Sequence, residues 1–177
     1  PSNGSVPATE PGGPDSGLIE ILGTSSGPTF TQGNGEAAVN GSFTNVNAAG
    51  DTLIGGGYTM ASNGSATATL RFNNANIVNN AAFIDLIGPN SRVLDQDGLD
   101  GLRNFASNNG AFYMARQTRS TVGSFENNGD IILFGGANLT TNGNLTSNGL
   151  LAVIPFDNYL GIGFPGFDPA PEGAFTT

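Results

Sequence analysis

Apolar residues along this chain come in short runs bounded by Gly, Asn and Ser, and one stretch alone has helical spacing. Runs of this kind with turn residues at both ends predict β-strands. The expected strands are Leu18 to Leu22, Ala38 to Phe43, Thr52 to Ile54, Tyr58 to Met60, Ala66 to Phe72, Ala75 to Val78, Phe83 to Ile87, Arg92 to Leu94, Ala111 to Met114, Asp130 to Phe134, Leu139 to Thr141 and Leu150 to Ile154. The helical spacing falls on Leu99 to Ala106, which is expected to be a single turn inserted at a corner.

Between the strands the chain repeats a phrase: an apolar leader, then Asn or Ser, then Asn-Gly. It reads Phe105-Ala106-Ser107-Asn108-Asn109-Gly110, Phe125-Glu126-Asn127-Asn128-Gly129 and Leu145-Thr146-Ser147-Asn148-Gly149, with leaders 20 residues apart. Looser copies stand at Phe43-Thr44-Asn45 and Ile77-Val78-Asn79-Asn80. A fixed period of this size is the mark of a solenoid. Two or three short strands fit each period, which is one coil of a parallel β-helix with strands stacked about 4.8 Å apart.

The expected fold is therefore all-β: a single-stranded parallel β-helix of roughly six coils, about 30 Å long, between extended arms. Residues 1–17 form an N-terminal arm of Pro, Gly, Ser and Thr; 18–35 hold a strand and linker, a candidate connector between subunits; 36–155 form the β-helix; 156–177 form an aromatic, Pro- and Gly-rich tail. Inward positions should alternate along each strand. The expected core is Phe43, Leu53, Leu70, Phe72, Ile77, Ile84, Leu86, Val93, Phe112, Phe125, Ile131, Leu133, Leu139, Leu145, Leu151 and Val153. The polar residue two places after each leader, at Asn45, Asn79, Ser107, Asn127 and Ser147, is expected to stack into a hydrogen-bonded ladder.

Composition supports a chain made of corners. Gly accounts for 28 of 177 residues and Asn for 22, and both tolerate the left-handed backbone that tight turns use. Only 11% of residues are charged, the net charge is -9, and all five cations are Arg. That balance argues against nucleic acid and anionic membranes as partners. His and Cys are absent, which removes imidazole bases, thiol chemistry and the usual zinc and copper ligands. The longest apolar stretch, Leu150 to Phe156, is too short to insert in a bilayer. The first residue is Pro1, as expected of a processed product or a fragment.

The segments Ile84 to Asp95, Gly101 to Ala106 and Gly143 to Gly149 resemble the repeats of bacterial autotransporter-like and filamentous-adhesin-like surface proteins, over roughly 70 to 155. The resemblance implies a right-handed β-helix at the cell surface or outside the cell, with a structural or adhesive role and no catalytic residues.

Four constellations invite chemistry. Asp95, Asp97 and Asp100, closely spaced around Gly98, are candidate calcium ligands, since calcium takes several oxygen donors from one loop; the alternative is an acidic corner in which Asp97 or Asp100 caps a turn. Asp85, Asp95 and Asp97 are candidate carboxylates for a polysaccharide hydrolase, or for a lyase assisted by Arg92, Arg103, Arg116 or Arg119. Thr67, Thr69, Thr140 and Thr141 hint at a flat threonine array but lack its regularity. Arg116 and Arg119 are a candidate anion patch.

The favoured function is non-enzymatic: an extracellular structural subunit that assembles with copies of itself. Leu18, Ile19, Ile21 and Leu22, with Phe156, Tyr159, Phe164 and Phe167 of the tail, are the expected connectors, because open strand edges pair with other chains. The alternative is an adhesin-type module holding cell-surface or matrix glycan along its flank.

Overall fold

The computed structural model describes residues 46–62, 65 and 67–154, together with the strands Leu18–Thr24, Gly27–Pro28, Glu36–Val39 and Ala174–Thr176. The described residues are all-β, without helix, and their parallel strands form stacked sheets. The arrangement is compatible with a parallel β-helix.

The chain first lays down β1 (Leu18–Thr24), β2 (Gly27–Pro28) and β3 (Glu36–Val39). It then makes five passes of three strands each. These are β4 (Thr52–Leu53), β5 (Gly57–Ala61) and β6 (Ala68–Phe72); β7 (Asn79–Asn80), β8 (Phe83–Ile87) and β9 (Ser91–Leu94); β10 (Ser107–Asn108), β11 (Ala111–Ala115) and β12 (Thr118–Ser120); β13 (Phe125–Asn127), β14 (Asp130–Phe134) and β15 (Asn138–Thr140); β16 (Leu145–Ser147), β17 (Leu150–Ile154) and β18 (Ala174–Thr176). The first strand of every pass joins a five-stranded sheet, β16-β13-β10-β7-β4, and the second joins a seven-stranded sheet, β17-β14-β11-β8-β5-β1-β2. Third strands fall into two separate three-stranded sheets, β3-β6-β9 and β12-β15-β18. Every pairing between described strands is parallel except that of β1 with β2, and two isolated bridges, Val46 with Leu53 and Leu94 with Asp100, are antiparallel.

Strand register fixes two inward columns in the large sheet: Tyr58, Ile84, Phe112, Ile131 and Leu151, then Met60, Leu86, Met114, Leu133 and Val153. Apart from Val153, these residues and Leu53, Leu70, Phe72, Ile77, Val93, Phe125 and Leu139 form the main core, with Leu151 partly buried against it. Phe105 sits with its ring centroid 5.0 Å from both Phe112 and Phe125, tilted against the first and edge-on to the second, an aromatic cluster that adds to simple burial. Of the expected core, Phe43 lies outside the described residues. Val153 departs from expectation: it is 38% exposed although its partner Leu133 is fully buried. Val153 belongs to the last strand of the seven-stranded sheet, so no described strand stacks beyond it.

The repeated phrases are themselves strands, not loops between strands. In β13 the side chains alternate: Phe125 buried, Glu126 exposed, Asn127 buried. The following Asn128-Gly129 makes the corner into β14. A Cβ on Gly129 would lie 1.9 Å from the carbonyl oxygen of Gly110 in the pass before, and one on Gly149 would lie 1.9 Å from that of Gly129. Glycine is required there because backbones of successive passes touch. Gly129→Ala is expected to cost about 3 kcal/mol, as other overpacked sites do. Gly123→Ala, where an added Cβ meets nothing within 4 Å, should leave the urea midpoint unchanged.

Two other expectations change. Ala75 to Val78 leads into β7 and is not a strand, and the turn expected within residues 99–106 is present at 101–104 but is not helical. That segment is an insertion between β9 and β10, and it coincides with the break between the two three-stranded sheets. Gln117 spans the break: its Nε2 donates to Gly88 O (2.6 Å) and Ser91 O (2.8 Å) of the previous pass, partnering carbonyls near the break.

Candidate functional site

The acidic corner follows β9. Asp95 is buried, and its Oδ1 accepts from the backbone N–H of Asp97 (2.9 Å) and Leu99 (2.8 Å). Its Oδ2 faces Arg103 Nη1 at 3.2 Å, and the same nitrogen donates to Ala75 O and Asp100 O. Asp100 accepts from Leu102 N (3.0 Å) and pairs with Arg119 at 2.7 Å. Asp97 is exposed and accepts from Gln96 Nε2. The three carboxylates thus face three separate sets of partners. Among the described residues no group of three His, Cys, Asp or Glu side chains is arranged to hold a metal ion. What the corner does do is tie the insertion to its neighbours, with Arg71 adding a bond to Asp95 O.

In two of its passes the amide ladder runs one residue beyond where the leaders put it, at Asn80 and Asn108. Asn80 Nδ2 donates to Asn108 Oδ1 (2.8 Å), Asn108 Nδ2 to Asn127 Oδ1 (2.9 Å), and Asn127 Nδ2 to Ser147 Oγ (3.1 Å). All three asparagines are fully buried. Each also bonds carbonyls at the corner: Asn108 reaches Gly110 O and Asp130 O, and Asn127 reaches Leu150 O. Of the residues named from sequence, Asn127 and Ser147 stand in this row. Asn79 and Ser107 stand in an outward row with Thr52, joined by Ser107 Oγ to Asn79 Oδ1 (2.5 Å) and Asn79 Nδ2 to Thr52 Oγ1 (3.3 Å). Asn45 lies outside the described residues. The phrase 105–110 holds one more residue between leader and glycine than the phrase 125–129. Stacked glycines set the register, so Asn108, not Ser107, opposes Asn127. A third, exposed row joins Asn109, Asn128 and Asn148 through Asn128 Nδ2 to Asn109 Oδ1 (3.1 Å) and Asn148 Nδ2 to Asn128 Oδ1 (2.9 Å).

Of the expected connectors, Leu18, Ile19, Ile21 and Leu22 lie on β1, paired in parallel with Gly57 to Ala61 of the same chain. Phe156, Tyr159, Phe164 and Phe167 lie outside the described residues. At the opposite end, β16, β17 and β18 each terminate a sheet among the described strands.

One feature escaped the sequence. The seven-stranded sheet carries a second hydrophobic cluster on its outward side, made by Ile87, Ala115, Ile132 and Phe134 with Ala61, Tyr113, Ala152 and Ile154 packed against it. In this face lies Asp85, 6% exposed, opposite Thr59 and Tyr113 in register. Its Oδ1 has no hydrogen-bond partner among the described residues. Burial pushes the Asp85 carboxyl up to about 7. Tyr113, whose ring meets Phe83 edge-on at 5.1 Å, is raised by burial and then by the charges of Asp130 and Asp85. Asp85 is thus on the outer side of the large sheet, while Asp95 and Asp97 sit in the corner after β9. A continuous apolar run such as Ile131 to Phe134 was the available signal, since strands buried on both faces read that way.

No protein-family model, curated protein or solved structure matches this chain. The class that the fold defines is an all-β protein of stacked parallel strands, and no helix among the described residues is long and apolar enough to cross a membrane.

Proposed function

We propose that this protein is a structural subunit without enzymatic activity: a right-handed parallel β-helix, working at the cell surface or outside the cell, that assembles end to end with copies of itself. The observation that carries the reading is the state of the last pass. Inward columns that are fully buried at Ile131 and Leu133 end at the half-buried Leu151 and the exposed Val153, and the buried asparagine row ends at an exposed Ser147. Unpaired strand edges that present the chemistry of an interior invite another chain, and head-to-tail contacts of this kind propagate into filaments. The surfaces that would meet are the last pass and, at the other end, the strands β2, β3 and β4 that terminate the sheets.

Electron microscopy and light scattering test it. The protein should form rods whose length grows with concentration, and Val153→Lys should leave monomers, because a charge cannot enter a stacked apolar column without a partner. A chain that stays monomeric at high concentration rules the proposal out.

The exposed Asn109, Asn128 and Asn148 row favours one alternative, an adhesin-type module for cell-surface or matrix glycan. Regularly spaced amides offer donors and acceptors along a flank. Glycan-array binding that disappears on Asn128→Ala would support that reading over the first.

A further inference from the structure

We propose that the outward face of the seven-stranded sheet is a proton-operated switch centred on Asp85, closed while its carboxyl is neutral and opened to solvent when it ionises. The proposal is independent of end-to-end assembly. Its geometry is that of a carboxyl group in an apolar surround. Asp85 is 6% exposed, one of its oxygens has no hydrogen-bond partner among the described residues, and it shares its side of the sheet with Ile87, Ala115, Ile132 and Phe134. A neutral carboxyl is tolerable there, whereas an unpaired carboxylate is not.

Among the described residues, the groups in register with Asp85 offer it no countercharge. On β5 the register partner is Thr59, which is uncharged. On β11 it is Tyr113, whose raised hydroxyl stays neutral through the range in which Asp85 titrates. One strand further, on β14, stands Asp130, an exposed acid of like sign. Glu20 of β1 occupies the same column beyond Thr59, again an acid. Arg92, the one charged residue of β9, donates its Nε to Thr69 Oγ1.

Ionisation can be relieved without unfolding the protein. The outward cluster is separate from the main core, which the alternate residues Ile84 and Leu86 of the same strand occupy. β8 is also held by parallel pairing on both sides, to β5 and β11. Solvent can therefore reach Asp85 by a local opening that leaves the inward columns and the strand ladder in place, and local opening is the lower-energy route wherever such units are separable.

The test is binding of a hydrophobic dye to the full chain between pH 5 and 9, with circular dichroism to follow the sheet. Dye fluorescence should rise several-fold with a single-proton midpoint near neutrality while the sheet signal holds. Asp85→Asn should keep the low-pH fluorescence throughout, and Asp130→Asn should still show the rise. A flat wild-type profile, or the same rise in Asp85→Asn, overturns the switch. Should Asp85→Asn fail to fold, the carboxyl carbon of Asp85 in the wild-type chain decides by NMR. A midpoint matching the dye rise supports the switch, and one in the ordinary carboxylate range refutes it.

Discussion

Replacing Asn108 by alanine should destabilise the protein by about 4 kcal/mol, the largest loss expected of any single polar truncation here. The side chain is fully buried and is used in every direction. Its amide donates to Asn127 Oδ1, Gly110 O and Asp130 O, and its carbonyl accepts from Asn80. Alanine would leave a buried donor on Asn80 and an acceptor on Asn127 without that partner. Each buried orphan costs about 1–3 kcal/mol, whereas the hydrogen bond itself is worth about 1 kcal/mol net, so the orphans dominate. Asn128→Ala is the matched control. Asn128 makes the same kind of bond to Asn109 and receives one from Asn148, but in solvent, and its loss should stay within about 0.5 kcal/mol. Urea denaturation of both variants checks the contrast. Equal losses at the two positions would show that the buried row is not what holds the passes in register.

The second large effect is a dependence on pH that runs opposite to acid denaturation. The Asp85 carboxyl, held at about 7 by burial against an ordinary 3.8, binds its proton more tightly in the folded chain than in the unfolded one. Below about pH 4 both states are protonated and Asp85 imposes no penalty. As pH rises the unfolded chain ionises first, so stability falls progressively until the folded carboxyl ionises near 7, and then levels off. The full cost is about 4 kcal/mol if the folded state stays closed, and less if the outer face opens. Asp85→Asn removes the ionisation, so the variant should be more stable than wild type at pH 8 and lose most of that advantage at pH 4. Denaturant midpoints of the two proteins at those pH values measure it; parallel curves would mean that Asp85 does not titrate differently on folding.

Much of the layout could be read from the residues. The runs Phe83–Ile87, Asp130–Phe134 and Leu150–Ile154 are observed as strands with those same bounds, because apolar runs closed by Gly, Asn or Pro have few other options. The strands β10, β13 and β16 were hidden, since Asn, Ser and Glu are poor strand formers in isolation. They become strands because neighbouring passes supply both the backbone partners and the buried amide row. The insertion after β9 looked helical from Leu99, Leu102 and Phe105. Asp95 and Asp100 instead spend their carboxylates on nearby backbone N–H groups, which favours turns over a helix.

The sequence by itself determined that this chain turns often, at intervals near 20 residues, and buries alternate apolar residues between the turns. Local spacing carries that information, since the period of the apolar positions and the turn residues both act within a few residues. Tertiary structure alone decided which asparagines become interior: Asn108 and Asn127 face each other because the glycines of successive passes touch, a constraint between residues 19 apart. It alone also decided the fate of Asp85. In the chain this is the one polar residue of the run Phe83–Ile87, a residue type that water would normally reach. Only stacking beside Ile87, Ala115, Ile132 and Phe134 turns it into a buried acid, because burial belongs to the assembled surface and not to any one strand.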